Sequence, residues 1–191
     1  MVFDRKLSLK LTDKDIRFPI EILNLKDITE LEIIGGNFNY FPEDIVELKY
    51  LKKLSVVSTK IAAFPKEVFE LPELEYLSLK NNRIETLPLL DRPSNITTLI
   101  LNHNYLSQID QATIYLGAIT TLDLGHNLLE NVSDAFFLFK NLKRLSLESN
   151  RLFEFPEVLL NLAKLTHLNL DQNKFSAKTQ QEIEDSFGIK F

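Results

Sequence analysis

The 191 residues are 45% hydrophobic and 26% charged, with 22 Lys and Arg against 27 Asp and Glu, so the chain carries a net charge of −5. That balance argues against nucleic acid as a partner, because phosphate neutralisation needs a basic stripe, and Lys52-Lys53 and residues 140–144 are the only basic clusters. No apolar run has the length of a membrane span, and without Cys there is neither a disulfide nor thiol chemistry.

In chain order, Leu7, Leu9 and Leu11 alternate with polar residues, the period-2 signature of a half-buried strand. The opening MVFDRKLSLKL carries charges where a secretory signal has its apolar core, so the chain reads as cytoplasmic as it stands, or as exported if a leader is removed. Phe18-Pro19 stands 23 residues before Phe41-Pro42 and marks a degenerate first repeat.

From Ile28 onward one pattern recurs. ITELEIIGGNF begins at Ile28, LKKLSVVSTKI at Leu51, LEYLSLKNNRI at Leu74 and ITTLILNHNYL at Ile96. ITTLDLGHNLL follows at Ile119, LKRLSLESNRL at Leu142 and LTHLNLDQNKF at Leu165, so successive starts differ by 23, 23, 22, 23, 23 and 23 residues. Within residues 142–152 the apolar positions fall at offsets 0, 3, 5 and 10 with Asn at 8, a spacing that fits neither an amphipathic helix nor a plain strand. Leu145 and Leu147 alternating with Arg144, Ser146 and Glu148 predict a short strand. Asn150 predicts the turn after it, since Asn tolerates unusual backbone angles and its amide satisfies backbone groups the turn leaves unpaired.

Asn82, Asn104, Asn127, Asn150 and Asn173 form an unbroken column, while the equivalent earlier positions hold Gly36 and Thr59, which predicts less regular N-terminal units and a positive-φ turn at Gly35-Gly36. The half-units beginning at Phe41, Phe64, Leu87, Ile109, Val132 and Phe155 predict short helical or 3₁₀ turns on the outer side. Near the end, Ser176 predicts an N-cap, Ile183 and Phe187 an inward helix face, Gly188 a C-cap, and Ile189 and Phe191 a last strand. Residues 1–191 thus read as a single domain, monomeric, with a cap over 176–191.

Units of 23 residues with this consensus resemble the leucine-rich repeat family over essentially the whole chain. FPEDIVELKY, FPKEVFELPE and FPEVLLNLAK resemble a subclass found in bacterial repeat proteins, often exported, and in eukaryotic proteins that engage small GTPases. The fold class implied is an α/β solenoid of about eight repeats, its parallel strands about 4.8 Å apart on a concave face. The role implied is non-enzymatic protein binding.

Function falls to the residues the fold does not need, at offsets 2, 4, 6 and 7 of each unit. Ile34, Val57, Tyr76 and Ile100 put apolar groups on the concave face, rimmed by Glu30, Glu32, Lys53 and Lys80. Such a cluster has the composition of an interface centre, although β-branched residues are also good strand formers. Asp123, Glu148 and Asp171 make the later face acidic, a repulsion relieved by a basic partner, a cation, or water and Arg144.

His103 and His126 share a column and His167 lies on the same side, but two imidazoles do not make a metal site, so no metal or other cofactor is expected. Ser146 and His167 supply letters of a hydrolase triad without an oxyanion hole or nucleophile elbow, which excludes that catalysis. The expected function is binding of an unidentified protein through these columns, with Arg144 and His167 included. The alternative is a surface or structural protein that holds carbohydrate or matrix, for which Tyr76 is the only aromatic platform in the columns.

Overall fold

The computed structural model describes residues 5–109 and 115–188. Eight parallel strands form one sheet whose order is the order of the chain. They are β1 (Lys6–Lys10), β2 (Glu30–Ile34), β3 (Lys53–Val57), β4 (Tyr76–Ser78), β5 (Thr98–Ile100), β6 (Thr121–Asp123), β7 (Arg144–Ser146) and β8 (His167–Asn169). Equivalent positions pair along the stack: Leu31 faces Leu54, then Leu77, Leu99, Leu122, Leu145 and Leu168 in turn.

Alternation sends one side of every strand inward, and the inward residues of neighbouring units stack into a continuous core. Leu54, Leu77 and Leu99 are fully buried there, as are Val56, Leu79, Leu101, Leu124 and Leu147 two positions on. Phe18 extends the core at the N-terminal units, meeting Phe38 and Phe41 edge-on with ring centroids 5.8 and 5.0 Å away.

The outer half-units form 3₁₀ helices at Ile20–Asn24, Glu43–Glu47, Lys66–Glu70, Asp134–Leu138 and Glu157–Asn161. In each, the third residue points into the core: Ile22, Ile45, Val68, Phe136 and Leu159 are all buried. The half-unit at Leu87 departs from the expectation and forms no helix. It is the unit shortened to 22 residues, and Pro93 stands where the helical turn would close. Proline has no N–H to donate there and turns Arg92 away from helical angles.

The N-terminal units are also more regular in pairing than expected. Strands β1 to β3 have five residues where β4 to β8 have three. β-Branched Ile33-Ile34 and Val56-Val57 extend the second and third strands, whereas later units end in pairs such as Leu101-Asn102 and Leu124-Gly125.

The turn after each strand divides two jobs between two residues. The residue before the Asn adopts positive φ, as in Asn81, His103, His126, Ser149 and Gln172, with Ser58 and Gly35 in the earlier units. The Asn itself keeps an ordinary φ and serves as a hydrogen-bonding plug. Asn127 Oδ1 accepts from Leu106 N at 3.0 Å, and its Nδ2 donates to Leu101 O, Leu124 O and Gly125 O at 3.1, 3.0 and 3.2 Å. Each Asn thereby bonds its own unit and the preceding one. Asn150 does this with Leu129 N, Leu124 O and Leu147 O. Thr59 takes the column's place in its unit by donating its hydroxyl to Asn82 Oδ1 at 2.8 Å.

Among the described residues one α-helix, α1, spans Ala177–Phe187. Ser176 caps it by accepting from Thr179 N at 3.1 Å, Gly188 ends it at φ 66°, and Ile183 is buried beneath it, all as the sequence predicts. The inward side chain expected of Phe187, the final strand at Ile189 and Phe191, and the turn after Ile109 lie outside the described residues.

Candidate functional site

The outward residues of the eight strands make the concave face, and the strand register decides which of them meet. Ile34 pairs with Val57, with Lys10 on the other side of Ile34. Tyr76 lies at the opposite end of its strand, between Lys53 and Thr98. Ile100 lies between Ser78 and Asp123. Four residues of extended chain cover about 13 Å, so the apolar residues form an Ile34–Val57 pair and separate Tyr76 and Ile100 positions.

Charges on this half of the face neutralise one another. Lys53 Nζ is 2.7 Å from Glu30 Oε1, and Glu32 accepts from Ser8 Oγ at 2.8 Å with Lys6 Nζ 3.4 Å away. The Ser8 hydrogen bond, and then Lys6, hold the Glu32 carboxyl below the usual carboxylate range. Lys80, the remaining member of the expected rim, is exposed.

On the other half, β5 to β8 enclose an open depression of about 580 Å³. It brings together Ile100, Asp123, Arg144 and His167, with Thr121, Ser146, Thr166 and Asn169 between them. Thr166 escapes the sequence columns because it precedes the strand. Its Oγ1 donates to Lys143 O at 3.1 Å and lies 2.9 Å from His167 Nδ1, which orients that imidazole.

The acidic residues are relieved by neutral donors. Asp123 Oδ1 accepts from Gly125 N at 3.0 Å, and Glu148 Oε2 accepts from Asn169 Nδ2 at 3.2 Å. Asp171 is exposed at the end of β8. Among the described residues no ion pair joins Arg144 to any of these carboxylates, so relief comes from Gly125 and Asn169 where Arg144 was expected.

His103 and His126 stack face to face, ring centroids 4.0 Å apart and planes 8° from parallel. Burial, the neighbouring His126 and Lys80 hold His103 below the ordinary imidazole pKa, against the opposing pull of Asp123 and Glu148. Stacked rings direct their nitrogens alongside one another, and no cluster of three or more metal-ligating side chains occurs among the described residues. The register sets Ser146 opposite Asp123 and Asn169 while His167 faces Arg144, so Ser146 and His167 are not strand partners. No helix among the described residues is long and apolar enough to cross a membrane.

Residues 94–152 and 118–175 match the leucine rich repeat family. A leucine-rich repeat protein of Leptospira interrogans is 30% identical with a TM-score of 0.79, over 98% of this chain and 48% of its own. An internalin of Listeria monocytogenes is 25% identical with a TM-score of 0.73, over 85% of this chain and 47% of its own. The chain spans about half the length of these two proteins. No curated protein matches it. With a 23-residue register, one parallel strand per unit and an Asn plug behind most strands, the chain is a leucine-rich repeat protein of the bacterial type.

Proposed function

We propose that this chain is a non-enzymatic interaction module that holds a partner protein on its concave face as a single, monomeric domain with α1 as its C-terminal cap. Leucine-rich repeat folds generally mediate protein–protein interaction and are typically non-enzymatic. The observation that carries the reading is the depression across β5 to β8, where Ile100, Asp123, Arg144 and His167 converge. Glu148, which accepts from the lining Asn169, and Asp171 stand two residues beyond the ends of β7 and β8. The remaining columns, Glu30, Glu32, Ile34, Lys53, Val57, Tyr76 and Lys80, extend the contact surface along the face. Apolar, cationic and anionic groups side by side in a shallow concavity suit a folded partner's surface better than a small substrate, which needs enclosure.

The test probes a protein array and a glycan array in parallel with the labelled chain and with an Ile100→Asp/Ser146→Arg variant. Both changed side chains face outward and half-exposed, so circular dichroism should be preserved. Protein signals that vanish with the variant are expected, because a charge desolvated against an apolar partner costs several kcal/mol. Signals confined to glycans, or protein signals indifferent to the variant, defeat the reading.

A further inference from the structure

The two halves of the concave face use their charges differently. On β1 to β3, Lys53 is paired with Glu30 and Lys6 with Glu32. On β6 to β8, no ion pair among the described residues involves Asp123, Arg144, Glu148, His167 or Asp171. These charges are also sorted. Arg144 and His167 are register partners at the start of β7 and β8. Glu148 and Asp171 follow four residues later in the same two units, about 13 Å away along the strands.

Between the two ends lies a row of register partners, Ile100, Asp123, Ser146 and Asn169, in which Asp123 carries the one charge. Gly125 precedes Glu148 in the same column, and a Cβ there would stand 3.2 Å from Asp123 Oδ1 and 3.3 Å from Ser146 Oγ. The absent side chain leaves the Asp123 carboxylate uncovered. In the preceding unit of that column, Asn102 Oδ1 is buried without a donor. Carboxylates without a cationic partner among the described residues therefore gather towards one end of the strands and cationic donors at the other.

We propose that the depression receives an extended segment of a partner protein with an acidic and a basic side chain four residues apart. The acid meets Arg144 and His167, the base meets Glu148 and Asp171 with Asp123 beside them, and the residue midway lies over Ser146 and Asn169. In an extended chain, residues i, i+2 and i+4 face the same way, and the outer two are about 13 Å apart, the separation of the two charged ends. A purely basic segment would bring a like charge against Arg144, and a purely acidic one would meet three carboxylates, either at a desolvation cost with no compensating pair. The proposal rests on the concave-face reading and adds the partner's charge pattern.

Panning a displayed library of random short peptides on the immobilised chain tests it. Enrichment of sequences with opposite charges at i and i+4 is expected. Arg144→Glu alone, and Glu148→Lys with Asp171→Lys, should each weaken the enriched peptides at least about tenfold, and added salt should weaken them too. A peptide whose acid is changed to Ala should lose its sensitivity to Arg144→Glu while keeping its sensitivity to the Glu148/Asp171 reversal. Binders of one charge sign, or binders indifferent to both reversals yet lost on Ile100→Asp, overturn this inference and leave the concave-face reading standing. Binders indifferent to Ile100→Asp as well defeat both. A library that yields no binder overturns the inference alone, since the arrays decide the broader reading.

Discussion

Asn127 shows how much of this fold is held by single side chains. Its amide is buried and bonded on both ends, to Leu106 N on one side and to three carbonyls on the other. Alanine would strand those groups in the core, so Asn127→Ala should lower unfolding stability by about 1–3 kcal/mol, read from urea midpoints. An unchanged midpoint would mean that water replaces the amide at no cost. His103 gives a second expectation. Its folded pKa lies below the unfolded value of 6.5, chiefly through burial, so the unfolded chain binds more protons as the solution is acidified. The stability at stake is fully present above pH 6.5 and is lost as pH falls from there towards the folded value. His103→Asn removes the imidazole and suits the left-handed turn, where Asn81 already holds φ 55° against 57° for His103. The variant's stability should therefore fall less steeply below pH 6.5, measured as denaturation midpoints on both sides of that value; parallel slopes would remove His103 as the cause.

At the scale of elements, the strand and the turn behind it are legible from spacing, but the division of labour between adjacent turn residues is not. The sequence marks the Asn because it recurs, whereas the positive-φ residue before it varies among Ser, Asn, His, Gln and Gly and leaves no consensus. Only at Gly35 is the choice forced by space as well as by angle. Its φ is +82°, and a Cβ there would lie 2.5 Å from the carbonyl oxygen of Leu11, whose N–H donates to Ile34 O at 2.8 Å just beyond β1. Gly35→Ala should therefore cost at least ~2 kcal/mol and loosen the first strand, seen as faster amide exchange at Leu11 and Gly35. Protection equal to that of the parent would show that the backbone moves aside freely. The outer half-units were legible wherever the proline precedes five helical residues. The Leu87 unit was misread because Pro93 acts at the closing position of a turn, a place that the repeated Phe-Pro step does not flag.

At the scale of the whole molecule, stacking turns a list of columns into a surface with two unlike halves. The sequence puts Glu30, Lys53 and Glu32 on the rim of an apolar cluster, yet Lys53 pairs with Glu30 and Lys6 with Glu32, so these charges are already neutralised. It puts Asp123, Arg144 and Glu148 in different columns, and only the register shows that opposite charges occupy opposite ends of β6 to β8 without meeting. Tyr76 and Val57 look like neighbours in a column listing, but they occupy opposite ends of adjacent strands.

The sequence by itself determined the repeat, the parallel order of the strands, the inward leucines and the helix boundaries at Ser176 and Gly188. The first three depend on contacts within one unit or between equivalent positions of adjacent units, which the 23-residue period specifies, and the helix boundaries depend on the local capping chemistry of Ser176 and Gly188. The tertiary structure alone decided which outward charges neutralise one another, where the face sinks into a depression and which turn residue carries the strain. Those outcomes depend on side-chain reach across neighbouring strands and on the space left by residues such as Gly125, quantities that no one-dimensional spacing contains.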